Sequence, residues 1–364
     1  MDPLLIAALA TLHLAGQPLG VQPLDDEACL ATAPQGETVA SHPDLSRRGN
    51  VVIFRASAPS SGDEEPVLVI NGAGSFPGLH TAQGHIACIV LPDFDRATFE
   101  YTFAPRSAPL DGEYVGPDRY DDIRLYTSRT APHRYEEHVL DSMNLNAERR
   151  VFVYIPTDGQ CAARGGCPVV FTGDAMAADR YGATIDALVS RGIIEPVIMA
   201  STMLDPMHRR TEYARLNERS PANQVRFDAH ARFFAEEFIP WVEDNFQVSD
   251  DPAHRVLFGF SASADFALAM AEAMPESFGS VLAASPPMNM PVNVRPDDQG
   301  ACPDVIIRYG SWEGGIATGI RAHADASNAC IHLEETPAGH ARQLATEMLV
   351  RFLTARYGVQ DYED

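Results

Sequence analysis

Lysine is missing from this 364-residue chain, so all 27 permanently basic side chains are arginine. This absence excludes chemistry that needs a lysine amine, such as a Schiff base with a carbonyl substrate or the lysine of a phosphate-binding loop. Positive charge is scarce overall, since 50 aspartates and glutamates give a formal net charge of −23. Such a surface repels nucleic acid and anionic membranes, although acidic residues also serve solubility alone. We therefore expect neither kind of partner.

Long apolar segments are also missing, apart from one near the N-terminus. Residues 1–22 start with MDPLLIAALATLHLAGQ, an apolar run of signal-peptide length that is too short to span a bilayer. A secretory signal normally starts with basic residues, which this segment lacks, so a core helix or a misplaced start codon are the alternatives. We expect no membrane insertion by the mature chain.

Cysteines are few, but their number is even. None of the six forms a CxxC pair, which disfavours a zinc or thioredoxin-like site. Cys161 and Cys167 bracket a short loop, and Cys302 and Cys330 each lie at the start of a strand-like run, so both pairs suit disulfides. Buried reduced thiols are the alternative. Disulfides would indicate an oxidising compartment, so a periplasmic or secreted location is favoured over a cytoplasmic one.

The two halves of the chain differ in composition and in the pattern of their apolar residues. Residues 23–140 contain short β-branched or aromatic segments between turn residues, which predicts an all-β sandwich followed by a linker. In residues 141–364, continuous apolar runs alternate with helical stretches, which is typical of a doubly wound, mostly parallel α/β sheet. We therefore predict two domains with a boundary at about residue 140.

The segment RVLFGFSASAD, residues 255–265, places a serine between one of these apolar runs and a predicted helix. This is the context of the G-x-S-x-G turn, in which small neighbours allow a strained backbone to expose the serine hydroxyl. Gly259 matches the first glycine, whereas Ser263 stands where the second is expected. An ordinary turn is the alternative. We predict that Ser261 is a nucleophile.

A nucleophilic serine needs a base and an acid, which follow it in the order acid, then histidine, in this type of fold. His340 lies between the last predicted strand and the final helix, with a surface or capping role as the alternative. Glu313 follows the strand DVIIRYG and would hold the imidazole tautomer and stabilise the imidazolium. Asp304, at the start of a strand, and Asp325, inside a predicted helix, are the weaker candidates for the acid.

Backbone amides are expected to stabilise the oxyanion that a serine attack would create. Ala262 follows the serine directly, and a second amide is expected from the loop after the strand PVVFTGD, where we favour Asp174 and Ala175. No metal or organic cofactor is required for this chemistry.

A charged cluster follows the strand PVIMAST and comprises Arg209, Arg210 and Glu212. Arginine suits an oxygen-rich ligand, so we predict substrate recognition here, with a solvated ion-pair loop as the alternative. Trp312 is a further candidate for lining an apolar substrate pocket, together with Met207, Met288 and Met290, although such side chains are more often core residues.

These motifs resemble those of the enterochelin-esterase-like family of α/β-hydrolases, and the resemblance covers most of the chain. GFSAS stands in place of the family's G-x-S-x-G-G, YGSWEGG is similar to its acid loop, AGH to its G-G-H, and R-x-x-E-Y ends at Tyr213. The β-rich half is similar to the immunoglobulin-like module that precedes the hydrolase in siderophore esterases. The resemblance implies ester hydrolysis with Ser261, His340 and Glu313.

The resemblance does not fix the substrate, although it implies a small-molecule ester. A siderophore ester is the leading candidate, and a feruloyl or acetyl ester on a carbohydrate is the alternative. Ferric catecholates are anionic, so they would need the local positive charge of Arg209 and Arg210 on so acidic a chain. A catalytically inactive binding protein on a hydrolase scaffold is the alternative from another class. The oligomeric state is not readable from the sequence.

Overall fold

The structure is a computed structural model that describes residues 21–39, 42–56, 65–82, 84–104, 110–117, 134–156, 160–173, 175–203, 208–213, 221–288, 291–296, 302–324 and 328–359. Most of the predicted signal-like segment, residues 1–20, lies outside this range, as do Asp174, Met207, Met290 and Asp325. The described residues form two compact units. The first contains residues 21–117 together with Tyr309–Thr318 and Glu335–Leu344, and the second contains the rest.

The first unit is built mainly from antiparallel strands. Its elements are β1 (Gln22–Pro23), α1 (Asp26–Thr32), β2 (Glu37–Val39), β3 (His42–Arg48), β4 (Val51–Ala56), β5 (Val67–Ile70), β6 (Gly74–Pro77), β7 (Leu79–Thr81), β8 (Gly84–Val90), β9 (Thr98–Ala104) and β10 (Leu110–Val115). One sheet has the order β1-β8-β4-β3-β2, with β7 beside β8, and the other has the order β10-β9-β5-β6. The predicted β-rich half is therefore confirmed.

The two sheets of the first unit bury one shared hydrophobic core. Leu45 and Phe54 come from the first sheet, and Leu68, Phe99 and Phe103 from the second, and all five are fully buried. The inner faces of the two sheets therefore pack on each other, as in a sandwich of two sheets. The immunoglobulin-like identity of this sandwich stays a prediction.

The second unit is centred on an eight-stranded sheet with the order β11-β12-β14-β13-β15-β16-β17-β18. Its strands are β11 (Tyr135–Ser142), β12 (Ala147–Tyr154), β13 (Val169–Thr172), β14 (Ile198–Thr202), β15 (Arg255–Phe260), β16 (Ser280–Ala284), β17 (Asp304–Gly310) and β18 (Ile331–Thr336). The neighbours from β14 to β17 pair in parallel, whereas β11 and β12 pair antiparallel. The predicted mostly parallel sheet is confirmed.

Helices connect these strands. They are α2 (Ala175–Ser190), α3 (Arg209–Tyr213), α4 (Pro221–Arg232), a π-helical turn (Phe233–Phe238), α5 (Ile239–Asn245), α6 (Ala262–Ala273), α7 (Gly314–His323) and α8 (Arg342–Tyr357). Every residue of β13, β14 and β16 is buried, which explains the continuous apolar runs in the sequence. Among the described helices, none is both long enough and apolar enough to cross a bilayer.

All six cysteines are paired. The expected pairs Cys161–Cys167 and Cys302–Cys330 are confirmed, and a third disulfide joins Cys29 of α1 to Cys88 of β8. The last pair closes a loop with a sequence separation of 59 residues within the first unit. The alternative of buried reduced thiols is therefore wrong.

Candidate active site

Ser261 occupies a strained turn between β15 and α6 of the second unit. Its backbone has φ +60° and ψ −124°, a conformation that a residue with a side chain rarely adopts. Its N–H donates to the carbonyl of Ala284 in β16 at 2.9 Å, and its side chain makes no capping bond to the helix that it precedes. Strain of this kind persists only where the surroundings impose it, and it is concentrated at functional sites.

The neighbours of Ser261 explain why this turn holds. A Cβ atom at Gly259 would lie 2.5 Å from the amide nitrogen of Ala264, so only glycine allows α6 to start so close to β15. Ser263 is buried, and its hydroxyl accepts from the Phe260 N–H and donates to the Phe260 carbonyl, both at 2.9 Å. The serine that replaces the expected second glycine therefore braces the turn through two hydrogen bonds.

Two helices begin after neighbouring parallel strands of the sheet. Ala262 is the first residue of α6, after β15, and Ala175 is the first residue of α2, after β13. The two strands are parallel neighbours, with Thr172 opposite Phe258. The first amides of a helix have no acceptor within the helix, so they are suited to bind an anion. Asp174, for which an amide donor was also expected, lies outside the described residues.

Glu313 and His340 are in direct contact within the first unit. The Nδ1 atom of His340 lies 2.5 Å from Oε1 of Glu313, and the second carboxylate oxygen accepts from the Gly310 N–H at 2.6 Å. The Glu313 side chain is fully buried, whereas 16% of the His340 side chain is exposed. For an ionised carboxylate and a neutral imidazole, this contact requires the hydrogen on Nδ1, which leaves Nε2 as the acceptor nitrogen.

Trp312 is a core residue, which is the alternative that the sequence analysis gave for it, so it is not retained as a pocket residue. Its side chain is 1% exposed and belongs to the core of the first unit, where its ring lies 5.7 Å from that of Phe99. Its backbone N–H donates to Ala338 at 3.0 Å. The residue therefore anchors the loop that carries Glu313.

The predicted charged cluster separates into two parts. Arg210 is exposed, and Arg209 is partly buried, with its guanidinium 3.4 Å from the Phe260 carbonyl and 5.9 Å from the centre of the Tyr213 ring. Tyr213 is fully buried, and a Cβ at Gly173 would lie 2.6 Å from its hydroxyl. Arg209 therefore lies beside the residue that precedes Ser261, which keeps it as a candidate for substrate recognition.

Glu212 has a structural partner, so we do not retain it as a substrate contact. Its carboxylate is buried and accepts from Arg149 at 3.1 Å, and Arg149 also donates to the Met203 carbonyl. His230 lies 3.7 Å from the same carboxylate, and burial together with the charge of Arg149 lowers its pKa well below 6.5. The histidine is therefore neutral at physiological pH. The sequence analysis missed Arg149, although a buried glutamate would call for such a partner.

Comparison with known proteins places these features in a family. The family model described as “Putative esterase” matches residues 142–324, which is half of the chain. An uncharacterized protein, YjcH of Bacillus subtilis (strain 168), is 28% identical over 153 residues, which are 42% of this chain and 61% of that protein. The chain thus spans about three fifths of the length of this curated relative.

Solved structures share the fold over almost the whole chain. The ferric enterobactin esterase of Salmonella typhimurium has a TM-score of 0.64 at 15% identity and covers 92% of this chain and 95% of its own. The enterobactin esterase of Shigella flexneri, in the presence of 2,3-di-hydroxy-N-benzoyl-glycine, has a TM-score of 0.61 at the same identity and coverage. By the family match, the chain belongs to the putative esterase family, and these solved structures show that it shares the fold of enterobactin esterases.

Proposed function

We propose that the chain is a serine esterase in which Ser261 is the nucleophile, His340 the general base and Glu313 the acid that orients the base. The observation that carries the proposal is the 2.5 Å contact between Nδ1 of His340 and Oε1 of Glu313. This contact supports the tautomer in which Nε2 accepts a proton, as a serine hydrolase requires. The strained turn at Ser261 supplies independent support.

The sheet topology supports the same grouping. Ser261 follows β15 and Glu313 follows β17, and both strands pair in parallel with β16, which lies between them. The carboxyl ends of parallel strands meet at one edge of a sheet, where α/β proteins generally bind their ligands. His340 follows β18, the next strand in the sheet order.

In the proposed reaction, Oγ of Ser261 attacks the ester carbonyl while its proton passes to Nε2 of His340. The backbone amides of Ala262 and Ala175 stabilise the tetrahedral oxyanion, with Asp174 as the alternative second donor. The C–O bond to the alcohol then breaks, and His340 returns its proton to the leaving oxygen. A water molecule that loses a proton to His340 attacks the acyl-enzyme, and the acid product leaves as Ser261 regains its hydrogen.

The leading substrate class is a siderophore ester, because solved enterobactin esterases share the fold over almost the whole chain. Arg209 supplies positive charge beside the turn of Ser261, and Arg210 is the next residue in the chain; an anionic ferric catecholate would require such charge on a chain with net charge −23. A carbohydrate-linked feruloyl or acetyl ester is the second candidate. The three disulfides support a periplasmic or secreted location.

The central experiment measures hydrolysis of p-nitrophenyl acetate by the wild type and Ser261→Ala. Ser190→Ala is the matched control, because this exposed serine at the end of α2 lies in the same unit and takes no part in the proposed chemistry. We expect activity in the wild type and the control, and only background hydrolysis in Ser261→Ala. Equal rates in all three proteins would exclude the esterase and favour a binding protein.

The substrate class is tested separately with ferric enterobactin, a feruloyl sugar and an acetylated sugar at equal concentrations. A siderophore esterase is expected to have the highest kcat/KM on ferric enterobactin, and Arg209→Gln is expected to raise KM for this anion more than for the uncharged sugars. A preference for either sugar ester would replace the siderophore assignment and leave the proposed mechanism standing.

A further inference from the structure

The turn between β5 and β6 holds the backbone of His340 on both sides. The His340 N–H donates to the Asn71 carbonyl at 2.7 Å, and the Asn71 side-chain amide donates to the His340 carbonyl at 2.8 Å. The two residues are 269 positions apart in sequence and belong to the same compact unit. A pair of bonds to both polar groups of one residue fixes its position and its orientation along the chain.

Gly72, the next residue, lies too close to His340 and Glu313 to carry a side chain. A Cβ atom added there would lie 2.7 Å from the His340 amide nitrogen, 2.9 Å from the His340 Cβ and 3.2 Å from Cγ of Glu313. Its φ of +85° also favours glycine. Both the backbone conformation and the approach of the proposed acid–base pair therefore require glycine at this position.

The segment before His340 is held by β9 of the same unit. Thr98 forms a parallel bridge with Ala338, its N–H donates to the Pro337 carbonyl at 3.3 Å, and the Gly339 N–H donates to the Thr98 carbonyl at 3.0 Å. A Cβ at Gly339 would lie 2.5 Å from the Asn71 carbonyl oxygen. The AGH motif, residues 338–340, is therefore hydrogen-bonded both to β9 and to the β5–β6 turn.

We infer that Asn71 and Gly72 of the N-terminal β-rich unit are positioning residues for the base. The N-terminal strands would then contribute directly to catalysis. The inference rests on the proposed role of His340. Asn71 holds the backbone of His340, and Gly72 leaves the room that allows the ring to reach Glu313. A displacement of about 1 Å in such a group costs roughly 100-fold in rate.

Gly72→Ala tests this inference, with Gly49→Ala as the matched control in the same full-length protein. Gly49 also has a positive φ, +61°, but nothing lies within 4 Å of a Cβ added there. Both substitutions introduce backbone strain in the same unit, and only the first pushes against His340. We expect kcat for p-nitrophenyl acetate to fall by roughly 100-fold in Gly72→Ala and to stay within threefold of the wild type in Gly49→Ala.

A proton NMR measurement adds a readout that general destabilisation of a folded sample does not move. The short Nδ1–H···Oε1 hydrogen bond between His340 and Glu313 is expected to give a low-field resonance in the wild type, and this signal is expected to be lost or displaced in Gly72→Ala but retained in Gly49→Ala. A Gly72→Ala protein with an unchanged resonance or with the activity of the Gly49→Ala control would overturn the inference. The resonance does not depend on turnover, so its response is separate from failure of the esterase proposal.

Asn71→Asp is the second variant, in case Gly72→Ala does not fold. In the wild type, the amide nitrogen of Asn71 lies 2.8 Å from the His340 carbonyl. The substitution keeps the volume of the side chain but places an oxygen, which cannot donate, opposite this carbonyl. We expect at least a tenfold loss of kcat, little change in KM and a displaced low-field resonance. Wild-type values of kcat and of the resonance would overturn the inference.

Discussion

The substitution Glu313→Gln tests whether the proposed site needs the carboxylate of Glu313 as a hydrogen-bond acceptor or only a side chain of the same shape. Both oxygens of Glu313 are acceptors in the structure, one from Nδ1 of His340 and the other from the Gly310 N–H. A glutamine has the same outline, but one of its two terminal atoms is a donor. The Gly310 amide is a fixed donor, whereas an imidazole can exchange tautomers. The amide oxygen is therefore expected to face Gly310 and the NH₂ group to face the ring.

This orientation forces the ring into the wrong tautomer. Nδ1 of His340 would accept from the new NH₂ group, so the hydrogen would move to Nε2, which could then no longer take a proton from Ser261. In serine proteases the corresponding exchange of carboxylate for amide lowers kcat by about 10⁴-fold, or about 5 kcal/mol in the barrier. The side chain at 313 is fully buried, so water cannot relieve the mismatch. We expect a loss of similar size here.

The assay is steady-state hydrolysis of p-nitrophenyl acetate, with circular dichroism and urea unfolding to show that the variant is folded. Glu335→Gln is the control, because it removes the same charge from an exposed side chain on β18, which accepts from the Tyr309 hydroxyl. We expect this control to retain wild-type kcat. A Glu313→Gln protein within tenfold of the wild type would refute the assigned direction of the hydrogen bond and the role of Glu313.

Three other predictions concern stability. Ser263→Ala removes both bonds to Phe260 and should lower the free energy of unfolding by about 1–3 kcal/mol in urea; an unchanged value would mean that the brace is unimportant. His230 is neutral when folded and its pKa is lowered, so the unfolded chain binds the extra proton below pH 6.5. Unfolding free energy should therefore fall on acidification by up to about 1.4 kcal/mol per pH unit, and His230→Phe should remove this component. Replacing Cys29 and Cys88 by serine should lower the free energy of unfolding by about 4 kcal/mol, and replacing Cys161 and Cys167 should lower it by about 2 kcal/mol. The difference follows from the closed loops, which span 59 and 6 residues. Equal losses of stability would contradict the view that these disulfides act through the entropy of the unfolded chain.

The sequence predicted well where the signal is local. Continuous apolar runs marked the parallel strands, because burial on both faces leaves no polar alternation. The small residues around Ser261 marked a tight strand-to-helix turn, because the constraint on the backbone there acts within five positions of the sequence. Trp312 was suggested for an apolar pocket from its residue type, whereas its ring packs against Phe99, more than two hundred residues earlier in the sequence.

The contacts that position the proposed acid and base have no local signal at all. Asn71 and Gly72 lie in a stretch that is typical of an ordinary hairpin turn, and no periodicity links them to His340. Their pairing exists because Tyr309–Thr318 and Glu335–Leu344 belong to the same compact unit as the N-terminal strands. The position of the base thus depends on residues that a boundary near 140 assigns to a separate domain. Changes in the β5–β6 turn are accordingly expected to alter kcat more than KM, since they act on the ring that moves the proton and make no proposed contact with substrate.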